Sequence, residues 1–374
     1  MKSIGSDLKI LLLSTSSIRF SSIIAQSVVP LYLIGLKFSP KIASIAIAIL
    51  WISNGIGSII SSFVEKKRLT FIIGFIIALM GLLLLINFKQ IIFIYASIGL
   101  LGIGLGVISV LIAPLMHTLV ESRDYTGIGL YSLGLSIGLI LGTLISSVVI
   151  KLLNIKYVFL ITVFYLIFSL IFSLRLNLNS NNVFKLNFSF KEFLKIIENK
   201  EFLKSYLVNF FYSFLLPLMI SYWGIYEEYK NKLNPSYIML FLFFMFLIST
   251  IFRYKSLHLN ERTINLYEIL SIFSLPILFL LINTGNLFLG IISLLIFSLP
   301  HAFIYPVSLY KAYKSLNEND LYIGNYIFST SSGIAEFFSP VIASFAISTF
   351  SLNNLYLFFA PIAFLTLIAF LILK

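Results

Sequence analysis

The chain contains no cysteine, which excludes disulfides, thiolate nucleophiles and cysteine metal sites. Charge is scarce as well: 11% of residues are Asp, Glu, Lys or Arg, against about 25% in soluble domains. Its histidines, His117, His258 and His301, stand alone in their neighbourhoods, and no carboxylate pair lies at ligand spacing. No metal site or acid–base pair is therefore legible, and an enzyme is not expected. There is no G-x-x-x-x-G-K-S/T segment either. Gly99, Gly102, Gly104 and Gly106 are separated by Leu, Ile and Val, with no lysine following, which argues against nucleotide-driven work by this chain alone. No cofactor is expected.

Apolar residues fill the space that charge leaves. They make up 59% of the 374 residues, and the mean hydropathy is +1.04. The useful unit is then a span of about 20 residues plus a short loop. Spans are expected at 10–36, 42–64, 69–88, 91–117, 126–150, 155–174, 203–226, 236–252, 264–283, 286–310, 322–350 and 353–373. The first run continues past Val29, Pro30 and Leu31 without a small-residue cleavage site, so it is read as a retained helix rather than a signal peptide. The expectation is an all-α integral membrane protein of about twelve helices.

The formal charge of +12 invites a polyanionic partner until its placement is tested. With both termini on the cytoplasmic side, 18 of the 26 basic residues fall inside, among them Lys66, Lys67, Arg68, Arg123, Arg175, Arg253 and Lys311. Seven fall outside (Lys37, Lys41, Lys89, Lys151, Lys156, Lys230 and Lys232), and Arg19 alone falls within a span. This is the positive-inside bias. It orients a multi-pass protein in the cell membrane with cytoplasmic termini and leaves no need for nucleic acid.

One long polar stretch, Arg175 to Lys204, interrupts the spans. Asn177, Asn179, Ser180, Asn181 and Asn182 read as linker, and Phe190 to Leu203 as an amphipathic helix on the inner membrane surface. The chain divides into an N-terminal six-helix half (1–174), a cytoplasmic linker (175–202) and a C-terminal six-helix half (203–374). Equal halves invite a search for a repeat. Setting Pro30 on Pro217 superposes Arg19, Ser22 and Gln26 on Tyr206, Asn209 and Ser213. Each trio lies at i, i+3 and i+7, on one helical face. Pro114 and Pro306 correspond at a similar offset, as do Gly127 and Gly324, and together these favour a duplicated six-helix unit.

The segment from Ser58 to Arg68 places the basic run Lys66, Lys67 and Arg68 between the second and third spans, with Ser62 and Glu65 before it. It is a degenerate form of the G-x-L-x-D-R-x-G-R-R loop, and Gly134, Gly138, Gly142 and Thr143 approximate a glycine row that ends in proline. On these motifs and the duplicated plan the chain resembles the major facilitator superfamily of secondary transporters. The resemblance implies two pseudo-symmetric halves that rock around a midplane site, with spans 1, 4, 7 and 10 facing the central path. The glycine row also has a plainer reading as close packing between helices.

The residues themselves supply a sparse polar set at membrane depth. A permanent cation such as Arg19 costs roughly 2.5–3.5 kcal/mol at the centre of a span on insertion scales. It therefore either anchors an anionic substrate with Ser22 and Gln26, or snorkels towards the entry near Asp7 and Lys9. Asn54, Asn209, Ser213, His301 and Tyr305 complete the expected substrate-binding set. Glu336 shares a face with Ser329, Ser332 and Ser339 and is expected either to carry a coupled proton or to pair with Arg19. An aromatic wall (Tyr32, Trp51, Phe210, Tyr212, Phe214, Tyr222, Trp223, Tyr305) suits export of amphipathic compounds, whereas Arg19 suits a small anionic metabolite. The expected protein is a monomeric transporter of a small solute, surrounded by lipid. The alternative is a transporter-like receptor or scaffold that no longer transports.

Overall fold

Without water in a bilayer core, every backbone N–H and C=O needs a partner within the protein, and the α-helix supplies one within a single segment. The computed structural model describes residues 6–63, 67–119, 125–175, 190–256, 259–317 and 320–372, and its elements are helices throughout. Twelve of these are long and apolar enough to cross a membrane. They are span 1 (Lys9–Gly35), span 2 (Pro40–Ser61), span 3 (Arg68–Asn87), span 4 (Ile91–Ser109), span 5 (Gly134–Leu152), span 6 (Ile155–Ser173), span 7 (Lys200–Asn231), span 8 (Pro235–Ser256), span 9 (Glu261–Asn283), span 10 (Leu287–Lys314), span 11 (Ile327–Phe350) and span 12 (Leu352–Ile372). Glu65, Lys66, Arg123, His258 and the Asn–Ser linker with Ser180 lie outside the described residues.

The chain forms two compact units. The first comprises residues 1–183 and 220–247, and the second 184–219 and 248–374. Spans 7 and 8 each contribute to both.

In the first unit, span 4 packs on spans 2 and 3, and span 1 packs on span 5. Lipid tails are as apolar as leucine, so such contacts depend on close approach of backbones, which small residues permit. A Cβ on Gly138 would lie 2.2 Å from the Ser16 carbonyl oxygen and 2.8 Å from the Arg19 Cβ. One on Gly106 would lie 2.0 Å from the Asn54 carbonyl oxygen. The glycine row of span 5 is therefore a packing surface for span 1. The C-terminal part of span 7 and the start of span 8 are seated in this unit by neutral hydrogen bonds. Ser27 donates to the Ile220 carbonyl (2.9 Å), Ser44 and the Tyr222 hydroxyl lie 2.6 Å apart, and Ser147 and Ser236 each donate to the other's carbonyl (2.9 and 2.8 Å).

In the second unit the N-terminal part of span 7 packs on spans 10, 11 and 12, and span 9 on spans 10 and 12. The linker helix, Phe190–Ile197, is shorter than the sequence suggests. The Asn199 side chain accepts from the Phe202 N–H (3.1 Å) and opens span 7, so Phe202 is core. Asn199 also donates to the Ser315 carbonyl (2.7 Å), and Lys195 pairs with Asp320 (3.0 Å). Glu268 is buried and pairs with Lys311 of span 10.

Two spans leave α-geometry beside a proline. Span 1 has a π-turn at Ile24–Val28, two residues before Pro30, and span 7 has one at Leu218–Tyr222, directly after Pro217. Proline lacks an N–H and its ring presses on the carbonyl four residues earlier, and such π-turns are frequent at functional positions. The correspondence of Pro30 with Pro217 thus has a structural counterpart. Span 10 breaks at Phe297 into Leu287–Ile296 and Ser298–Lys314, because Pro300 cannot bond the Ile296 carbonyl.

The packing of span 1 on span 5 makes a direct prediction. Gly138→Ala forces a methyl group onto backbone that has no flexible end to move, and should cost about 1–3 kcal/mol of stability. Gly55→Ala, where no atom lies within 4 Å of the added Cβ, should be neutral or slightly stabilising. Thermal unfolding of the purified variants in detergent checks both, and equal melting temperatures would contradict the packing.

Candidate functional site

Each unit carries a polar constellation at membrane depth. In the first unit it is built on span 1, which is rich in serine. Most of its hydroxyls are committed to the scaffold: Ser14 lies 3.2 Å from the Ser173 hydroxyl, Ser16 lies 2.9 Å from that of Tyr165, and Ser17 and Ser21 bond back to carbonyls of their own helix. The next face round holds Arg19, Ser22 and Gln26. Gln26, inside the π-turn, donates to Ser22 (2.6 Å) and is buried. Arg19 packs its Cβ over Gly138 and is half-buried. Among the described residues the Arg19 guanidinium has no hydrogen bond or ion pair. Asn54 of span 2 is half-buried, with its backbone against Gly106 of span 4.

In the second unit Tyr212, fully enclosed on span 7, has its hydroxyl 2.9 Å from His301 Nδ1 and its ring stacked on Phe297 at the break in span 10. Arg253 of span 8 donates to the His301 carbonyl. A tyrosine, an imidazole and a guanidinium therefore share one region of the unit, and Glu336 is half-buried on span 11. Beside them Asn209 donates to Ser331 (2.7 Å) and Ser332 (2.8 Å), and Ser213 donates to Ser332 (3.2 Å). Tyr305 is half-buried and its ring meets Phe328 at 6.1 Å.

The structure joins Gln26 to Ser22, with Arg19 one turn before Ser22 on the same helix, and brings Asn209 and Ser213 together at Ser332. His301 joins a second group that spacing did not reveal. With span 8 expected to end at 252, Arg253 falls among the inner loop cations, and its contact with span 10 distinguishes it from an interfacial cation. Ser331 lies off the face drawn through Ser329, Ser332 and Glu336, so periodicity passed it over. Span 7 runs to Asn231 rather than 226, which buries Glu227 to 1% exposure with Asn231 bonded to it (2.6 Å). The expected aromatic wall is mostly core: Tyr32, Tyr212, Phe214, Tyr222 and Trp223 are buried, while Trp51, Phe210 and Tyr305 are half-buried. No group of three or more potential metal ligands occurs among the described residues.

Solved structures share the whole architecture at low sequence identity. A crystal structure of a variant of the nucleoside transporter NupG matches with a TM-score of 0.77 and 14% identity, over 99% of this chain and 100% of the other. A POT family transporter in complex with 5-aminolevulinic acid matches at 0.73 and 13%, over 96% and 94% of the two chains. The POT family transporter PepTSo matches at 0.73 and 11%, over 98% and 97%. Among curated proteins no match is found. The model of the Major Facilitator Superfamily matches residues 11–326. With twelve membrane-length helices, that family's fold over nearly its whole length and the family's sequence pattern over most of it, the chain belongs to the Major Facilitator Superfamily.

Proposed function

We propose that this chain is a proton-coupled secondary transporter that moves a small anionic solute across the cell membrane by alternating access. Membership of the family supports transport in general. The observation that favours an anion is Arg19: a half-buried guanidinium in mid-span, with no hydrogen bond or ion pair among the described residues. Leaving such a charge unmatched in a low-dielectric region costs several kcal/mol. A planar fork of donors offset by an anionic ligand removes that cost. Ser22 and Gln26 lie on the same face and supply neutral hydrogen bonds. The burial of most of the aromatic set weakens the case for export of amphipathic compounds, which need an accessible apolar wall.

Glu336 is the proposed proton carrier. It is half-buried on span 11, one turn beyond Ser332 of the polar cluster with Asn209 and Ser213. Gain and loss of a proton there changes the net charge of this polar group, which is how a proton gradient can bias a conformational equilibrium. The positive-inside count supports cytoplasmic termini, and a monomer suffices for the proposal.

Ligand-induced thermal shifts across small anions, sugars and lipophilic cations should single out anions. With the anion so found, Arg19→Lys keeps the charge but loses the fork, and Arg19→Gln loses both. Affinity should fall in the order Arg, Lys, Gln, with folding intact by thermal unfolding. Equal transport by the arginine and lysine forms would remove Arg19 from the site. In proteoliposomes Glu336→Gln should abolish gradient-driven accumulation and preserve substrate exchange, because exchange moves no net proton. Unchanged accumulation would return Glu336 to a structural role.

A further inference from the structure

The hydrogen bonds around Ser332 can be followed atom by atom. A serine hydroxyl has one proton to donate and two lone pairs to accept with. Ser331 donates its proton to the Phe328 carbonyl (2.6 Å), so towards Asn209 it can only accept. This fixes the orientation of the Asn209 amide: Nδ2 gives one proton to Ser331 and the other to Ser332. Ser213 adds a second donor to Ser332. Both Ser332 lone pairs are thereby used, and among the described residues its own O–H has no acceptor. Donors feeding a hydroxyl polarise it and strengthen the bond that it donates in turn. The remaining position around Ser332 is therefore a pre-oriented donor on a partly open side chain, one turn from the exposed Ser329.

The same cluster has a spare acceptor. Asn209 is 0% exposed, and its Oδ1 has no hydrogen-bond partner among the described residues. Buried acceptors in native proteins are nearly always matched, so such an atom points to a bound group. A purely anionic group would accept from Ser332, leave Oδ1 unmatched and meet the Glu336 carboxyl one turn further along span 11. A cation would leave the Ser332 proton unmatched. A hydroxyl or carboxamide both accepts and donates. We infer that Ser332, set by Asn209, Ser213 and Ser331, forms a binding subsite in the second unit for a hydroxyl or carboxamide group of the transported solute. This rests on the transporter reading and concerns the second unit alone.

The absence of cysteine permits a test that needs neither a known substrate nor transport. In full-length Ser329→Cys in detergent, the single thiol is modified by hydroxyethyl methanethiosulfonate and by propyl methanethiosulfonate, each rate being normalised to that with free mercaptoethanol. The hydroxyethyl reagent should be favoured by roughly three- to tenfold, the range set by one net hydrogen bond. Adding Ser332→Ala should bring the ratio close to one, and adding Ser332→Thr should keep it. A ratio near one in Ser329→Cys itself overturns the subsite. So does a ratio that survives Ser332→Ala, or a thiol that neither reagent reaches. Because labelling requires no gradient, a failure here leaves the Arg19 and Glu336 results standing, and their failure leaves this one standing.

Discussion

Close backbone contact between helices is the constraint on which the first unit depends. Apolar side chains gain little by turning from lipid to protein, so two apolar helices hold together only where their backbones come near enough for dispersion and carbonyl contacts to add up. Gly138 against Ser16, Gly106 against Asn54 and Gly104 against Ala78 are such places. The same contact fixes the position of Arg19, whose Cβ rests over Gly138. A substrate-site candidate and a packing surface are thus two sides of one helix pair, and the glycine row sets how far the guanidinium projects from its neighbour.

The second unit uses other means. It has few glycines, and its helices are joined by polar side chains and rings: Tyr212 to His301, Arg253 to the His301 carbonyl, Asn209 to two serines, Lys311 to Glu268, and Tyr267 stacked on Phe303 at 4.9 Å. Hydrogen bonds fix orientation where glycine contacts fix distance. A unit organised in this way holds its donors and acceptors in defined directions, which suits discrimination between solutes. The contrast between the units is one of physics: close backbone approach in the first, directed polar contacts in the second.

Spans 7 and 8 belong in part to each unit. Where span 7 passes from one to the other it has a π-turn next to Pro217, and span 1 has its own beside Pro30. Neutral hydrogen bonds made by Ser27 and Ser44 seat the C-terminal part of span 7 in the first unit, and Ser147 and Ser236 seat the start of span 8 there, at about 0.5–1.5 kcal/mol each.

The sequence by itself determined the class, the number of spans and the duplicated plan. Length and apolarity decide whether a segment crosses a membrane, and those are properties of the segment alone. It also identified Arg19, because a cation in an apolar run is conspicuous whatever surrounds it, and the face of Arg19, Ser22 and Gln26, because one helix fixes that periodicity. The tertiary structure alone decided the partners. Arg253, just past the expected end of span 8, reads as a loop cation until the fold sets it against the His301 carbonyl of span 10. Ser331 lies off the expected face until Asn209 reaches it from span 7, and Glu268 sits beside Arg262 in sequence but pairs with Lys311. Hydrogen bonds and ion pairs between helices depend on rotation, register and kinks of two helices at once, and no single segment encodes those.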